Sequence, residues 1–336
     1  MGESSTIYSY YRVALLAGAM LWAQSCKETP GIFVNETNPV YRQASPSRTL
    51  DLGFQPLSGA GLLVSAICTD SLLLQKLDSM NWNLDCVPLG KSGEVLRGLE
   101  EGWLDAGVDY ADAVFEACAG GTVKVVSVTD QSYNTLITRV PLPLHQIRGK
   151  VIGFLPGDNA ERKLREYLSS MGFVKGDLRL KPIEVSSMTL LLEQGSIDAL
   201  ALDEPLASLV LLENINWQFS IRQLGRSYFF AHKLLLEDPE LLKALMQSQI
   251  RQQLSLRSRE GRFRAENIRW SYAQNLGVNS PSLASLKLLA EQSDQIGFNT
   301  ASSMRMKDDF IPSILECADT SFYAEVLRNQ HEENSQ

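Results

Sequence analysis

The chain has 336 residues, 44% hydrophobic and 21% charged, with 23 glycines and 13 prolines. At about 150 residues per domain this suggests two domains, and the balance excludes a disordered, collagenous or coiled-coil chain. The formal charge of −8, from 31 basic and 39 acidic residues, argues against nucleic acid as a partner, because phosphate neutralisation needs clustered Lys and Arg.

In chain order, residues 13–23 (VALLAGAMLWA) form an apolar run of eleven behind Arg12. Such a run rises about 16 Å as a helix, short of the roughly 30 Å hydrocarbon core. It therefore predicts an export signal over residues 1–25 rather than a membrane span. Ala23-Gln24-Ser25-Cys26 resembles a bacterial lipobox, which makes Cys26 a lipidation site and membrane anchor. A plain signal with Cys26 incidental is the alternative. Residues 26–48, rich in Pro, Ser, Thr and Asn, read as a tether, and residues 329–336 as a disordered polar tail.

Leu50–Phe54 alternates in polarity and meets Gln55-Pro56, which predicts a strand ending in a turn. Residues 59–77 read as one long apolar helix. Residues 83–87 read as a strand, and Gly90-Lys91-Ser92-Gly93 as a loop whose Ser92 caps a helix over Glu94–Glu101. A short strand at 105–108, a helix at 111–119 and a β-branched strand at 123–128 follow. The pattern then restarts: a strand at 149–154, a loop through Pro156-Gly157-Asp158-Asn159, and a helix at 160–171. A strand at 178–185, a helix at 187–194, a strand at 197–202 and a helix at 204–214 complete it. Strands separated by helical patterns of this length imply βαβ units. The expected fold is α/β, two doubly wound lobes with a largely parallel sheet, plus C-terminal helices. Residues 49–134 and 226–328 are assigned to the first lobe and 140–217 to the second. A two-strand hinge is assigned to 135–139 and 218–225. Asp238-Pro239 opens a helix to about Leu256, Ser280-Pro281 opens another, and amphipathic stretches lie at 311–317 and 322–328.

The three histidines are scattered, and the five cysteines lack a CxxC pair. No metal site and no cofactor are expected. Cys68, Cys86, Cys118 and Cys317 are expected as buried free thiols, since no spacing fixes a pairing; an oxidising compartment would permit one.

Six segments in order carry a resemblance: LDLGFQP at 50–56, the 83–88 strand with its Gly90–Gly93 loop, LRGLEEGWLDAGV at 96–108, IRGKVIGF at 147–154, EQGSIDALA at 193–201 with Asp203-Glu204-Pro205, and LEDPELLKA at 236–244. The chain resembles the extracytoplasmic solute-binding proteins of ABC importers, in the group that binds sulfonates, nitrate, taurine and thiamine-pyrimidine precursors. The resemblance spans residues 50–256. It departs from the pattern between Cys68 and Leu77 and in the signal. It implies the periplasmic-binding-protein type II fold, a small-molecule ligand, an ABC permease as partner, a monomer and no catalysis. It also implies a place in the periplasm or on the outer face of the cytoplasmic membrane.

Ligands of open α/β sheets sit at the C-terminal ends of strands. Binding candidates are therefore Gln55, Ser58, Gly59, Gly90, Ser92, Asp109 and Tyr110 in the first lobe, and Pro156, Gly157, Asn159, Asp203 and Glu204 in the second. Helix starts after Gly90 and Gly157 are expected to offer N–H groups to an anionic group. The acids Asp109, Asp158, Asp203 and Glu204 instead favour a neutral or cationic ligand, with a ring stacked on Tyr110 or a nearby Phe. Two other readings stay open: a ligand sensor signalling to a membrane partner, and a pyrimidine-forming synthase on the same scaffold. No nucleophile stands at a telling distance from a base.

Overall fold

The computed structural model describes residues 48–91, 93–110, 121–156, 160–174, 176–214, 216–232, 235 and 237–292. The expected export signal, Cys26, the expected tether up to residue 47, Ser92, the helix expected at 111–119, Gly157, Asp158, Asn159, Cys118, Cys317, the stretches expected at 311–317 and 322–328 and the expected tail lie outside the described residues.

The strands are β1 (Arg48–Phe54), β2 (Trp82–Pro88), β3 (Ala106–Tyr110), β4 (Val123–Thr138), β5 (Val151–Phe154), β6 (Arg179–Pro182), β7 (Ala199–Asp203) and β8 (Gln218–His232). They hydrogen-bond in the order β2-β1-β3-β8-β4-β7-β5-β6. In the first half β1 lies parallel to β2 and β3. In the second, β5 lies parallel to β6 and β7. The sheet is mixed rather than largely parallel, because two strands cross back: β8 runs antiparallel to β3, and β4 antiparallel to β7. β4 and β8 pair with each other from Val123 opposite His232 to Thr138 opposite Gln218, with a register shift between Val128 and Gln131. The same two strands thus belong to both halves.

Helices α1 (Gly61–Ile67), α2 (Ser71–Ser79) and α3 (Glu94–Glu101) serve the first half; α4 (Ala160–Ser170), α5 (Met188–Glu193) and α6 (Leu206–Glu213) serve the second. The C-terminal helices are α7 (Pro239–Ser255), α8 (Arg259–Asn275) and α9 (Leu283–Gln292). The single helix expected over 59–77 is two. Asp70 adopts extended backbone and its carboxylate accepts from the Leu72 N–H at 3.1 Å, starting a new helix. The Ser248 hydroxyl at 2.6 Å and Arg251 also bond Asp70, which ties this break to α7. Burial alone would raise the Asp70 carboxyl, but these partners hold it below the usual carboxylate range.

The expectation of free thiols fails at two positions: Cys68 and Cys86 form a disulfide. Cys68 follows the last turn of α1, and Cys86 lies on the neighbouring strand β2. The bridge joins positions 18 residues apart in sequence, so only the packing of α1 against the sheet reveals the pair.

The first half packs Leu50, Leu52 and Phe54 of β1 under Leu62, Leu63 and Ile67 of α1 and Leu241 and Leu245 of α7. In the second, β7 is buried on both faces. Leu200 and Leu202 join Leu192, Leu206 and Leu286, while Ala199 and Ala201 join Ile152, Leu164 and Leu168. This is the two-residue period of a strand sandwiched between helical layers. Helix α8 contributes to both halves. Ala265 lies in the first core, Trp270 and Ala273 lie in the second, and Tyr272 meets Phe54 edge-on at 5.2 Å. Among the described residues no helix is long and apolar enough to cross a membrane.

Candidate functional site

The C-terminal ends of β1, β2, β5, β6 and β7 converge on one cavity of about 180 Å³. The first half contributes Gln55, Pro56, Leu57 and Ser58 after β1, and Leu89 and Gly90 after β2. The second contributes Leu155 and Pro156 after β5, Val185 after β6 and Leu206 at the start of α6. Leu276 and Val278, just past α8, close the set. The lining is mainly aliphatic, and among the described residues it contains no charged side chain.

The β1 loop is held by its own bonds. The Ser58 hydroxyl donates to the Gln55 carbonyl at 2.9 Å and accepts from the Gly61 N–H at 3.1 Å. The Leu89 N–H donates to the Phe54 carbonyl at 2.8 Å and fixes the β2 loop beside it. Gly61 must be glycine, because an added Cβ would lie 2.4 Å from the carbonyl oxygens of both Gln55 and Pro56. Gly90 is different: a Cβ there meets nothing within 4 Å.

Of the residues expected at the site, Gln55, Ser58, Gly90 and Pro156 line the cavity. Gly59 adjoins Ser58 in the same loop without lining it. Tyr110 ends β3 and pairs with Ser227 of β8. The three described acids are buried and do not line the cavity. Asp109 is 3% exposed, and its carboxylate accepts from the Gly93 N–H at 3.1 Å. Burial pushes the Asp109 carboxyl up to about 7, against the opposing pull of the Gly93 N–H, the Arg162 guanidinium of the second half and the Leu96 N–H. Asp203 and Glu204 are buried too. Asp203 accepts from the Glu204 N–H at 2.8 Å, and Glu204 accepts from the Ser208 N–H at 3.2 Å. Burial drives the Asp203 carboxyl well up, opposed by the Glu204 N–H, assisted by the Glu204 carboxylate and opposed by Arg269. An acid-lined cleft, the basis of the ligand-charge expectation, is therefore not what these three residues build.

Beneath the cavity lies a buried ion pair within α8. Arg269 Nε donates to Glu266 Oε2 at 3.0 Å, and a second guanidinium nitrogen bonds Glu266 Oε1. Arg269 also reaches the Ser58 carbonyl at 3.5 Å. The helix thus braces the β1 loop from below. Sequence reasoning missed this helix and the cavity residues Pro56, Leu57, Leu89, Leu155, Val185, Leu206, Leu276 and Val278. Among the described residues, no cluster of three or more His, Cys, Asp or Glu side chains is arranged to hold a metal ion.

Solved structures resemble this arrangement over most of the chain. The alkanesulfonate-binding protein of Xanthomonas axonopodis pv. citri, solved with MOPS, is 18% identical with a TM-score of 0.55, over 84% of this chain and 98% of its own. A putative periplasmic sulfonate-binding protein of an ABC transporter from Methylobacillus flagellatus gives a TM-score of 0.58 at 13% identity, over 85% and 96%. The ligand-binding component of an ABC-type import system from Staphylococcus aureus, solved with zinc bound, gives 0.55 at 13% identity, over 83% and 99%. The fold is of the periplasmic-binding-protein type II kind. No protein-family model matches the chain, and no curated protein matches it in sequence. The cavity lies where the C-terminal ends of strands from both halves of the sheet meet.

Proposed function

We propose that the chain is an extracytoplasmic solute-binding protein that captures a small organic molecule in the interlobe cleft and delivers it to an ABC importer. One observation carries this reading: loops from both lobes meet around a small aliphatic cavity at the strand ends, where open α/β sheets place their ligands. Binding there draws two separately packed cores together, which is capture without covalent chemistry. Gln55 supplies an amide able to donate and accept, Ser58 and Gly90 supply close backbone, and Pro156 faces them from the second lobe.

The pivot belongs where β4 and β8 pass from one lobe to the other, near the register shift between Val128 and Gln131, just before the 135–139 hinge read from the sequence, because β4 already pairs with β7 of the second lobe from Asn134 to Ile137. Bulged pairs bend more readily than regular ladders, and a ligand with contacts to both lobes favours the closed state by its differential affinity. The Cys68–Cys86 disulfide supports an oxidising location, in keeping with an export signal over 1–25 and an anchor at Cys26. The partner is an ABC permease, and the protein acts as a monomer.

Closure is read by small-angle X-ray scattering of the protein as purified, and again after guanidinium treatment and refolding have removed its small-molecule load. The stripped protein is expected to have the larger radius of gyration, and the original solute restores the smaller one. Identical curves for a loaded and a stripped sample would contradict closure.

A further inference from the structure

At two helix starts beside the cavity, N–H groups that an anion would use are already taken, although the residues after Gly90 suggested that they would be open. Glu94, the first residue of α3, folds back over its own turn. Its Oε2 accepts from the Gly90 N–H at 3.1 Å and from the Lys91 N–H at 3.0 Å. The next described N–H of that loop, on Gly93, is bonded by Asp109. Across the cleft the Ser208 N–H in the first turn of α6 is bonded by Glu204. The donors that would cradle a sulfonate, nitrate or phosphate thus already hold carboxylates of this chain at two helix starts, one in each lobe. Residues 157–159, just before α4, lie outside the described residues. Lys91 and Arg97 are both exposed, and Arg97 sits 3.8 Å from Glu94, so the nearest cations on this loop face solvent.

We propose that Glu94 is a resident carboxylate that fills the anion-recognising N–H pair beside the cavity, so that the solute taken there is a neutral, largely apolar small molecule. This rests on the reading of the cleft as a solute site. Glu94 acts as a specificity determinant in two ways. It satisfies the Gly90 and Lys91 donors, and it repels a second negative charge brought to Gly90, the one residue of that pair that lines the cavity. The aliphatic wall of Leu57, Leu89, Leu155, Val185 and Leu206 meets the body of the solute. The Gln55 amide meets its polar end.

Benzenesulfonamide and benzenesulfonate have nearly the same shape and differ in charge, so they are suitable probes. Each is titrated calorimetrically into the full chain, into Glu94→Gln and into Glu94→Ala. The wild type is expected to bind the sulfonamide roughly tenfold or more tightly than the sulfonate. Glu94→Gln keeps an acceptor for both N–H groups but removes the charge, and should move that ratio toward the sulfonate by about tenfold. Glu94→Ala frees the donors and should move it further. A melting curve for each variant separates this shift in ratio from a loss of fold. A wild type that prefers benzenesulfonate, or one ratio shared by all three proteins, would overturn the proposal. So would failure of both probes to bind at millimolar concentration. The solute-binding reading itself is decided elsewhere, by scattering and by the mass of the solute that the protein retains.

Discussion

Replacing Gly61 by alanine is expected to lower the melting temperature by roughly 2–5 °C and to weaken solute retention roughly tenfold or more. The new Cβ would stand 2.4 Å from two backbone oxygens, those of Gln55 and Pro56. A backbone oxygen cannot rotate away as a side-chain tip can, so the β1 loop must shift as a unit. Its neighbours resist that shift. Ser58 is pinned to both Gln55 and Gly61, Phe54 is fully buried, and Arg269 lies under the Ser58 carbonyl. Overpacking of this kind costs about 1–3 kcal/mol. The loop that moves is also the one that lines the cavity with Gln55 and Ser58, so stability and retention fall together. Differential scanning calorimetry with equilibrium dialysis of the retained solute reads both. An alanine at Gly61 that leaves both unchanged would show that the loop is not set by this contact.

The second large effect is a dependence on pH set by Asp109. Its folded carboxyl titrates at about 7, from an ordinary value of 3.8. The folded state therefore binds this proton more tightly than the unfolded state does. The contribution to stability is full below pH 3.8 and is lost as the pH rises through 7. From pH 8 down to pH 5.5 the protein is expected to gain about 2 kcal/mol from this group. Asp203, also raised by burial, acts in the same direction. The carboxyls of Asp70 and Asp198 are held low, so their contributions are lost only in more acid solution, as the pH falls through their depressed folded values. Asp109→Asn keeps an oxygen for the Gly93 N–H and removes the titration. Urea midpoints measured from pH 5 to pH 8.5 should rise toward acid in the wild type and flatten in the variant, which should be the more stable of the two at pH 8. Parallel profiles would remove Asp109 from the account.

The parts of the fold that were legible in the sequence are those with local signals. The β1 strand ending at Gln55-Pro56, the Gly90 loop before α3 and the alternation of strands with helices each declare themselves over a few residues. Helix α8 does not. In REGRFRAENIRWSYAQN the charged and polar residues run all the way round, because the helix buries an ion pair and contacts both lobes instead of presenting one apolar stripe. The Ser258 cap, whose hydroxyl accepts from the Gly261 N–H, was the available signal for its start. The acids were visible as residues, but their direction was not. Whether Asp203 and Glu204 face a cleft or cap α6 depends on which helix follows and what packs on it. The aliphatic wall was hidden for the opposite reason, since Leu155, Val185 and Leu206 look in sequence like ordinary core. The disulfide needed the end of α1 to lie beside β2, which no cysteine spacing encodes.

Gly90 offers the most direct check on whether the cleft is where a solute is held. Its added Cβ meets open space, so Gly90→Trp should fold and melt like the wild type while its indole fills the cavity. Native mass spectrometry of both proteins, purified side by side, is the measurement. The wild type is predicted to carry one bound small molecule per chain, and Gly90→Trp to carry none. An equal load on both proteins, or a wild type that neither retains a solute nor takes one up from a cell extract, would contradict the account.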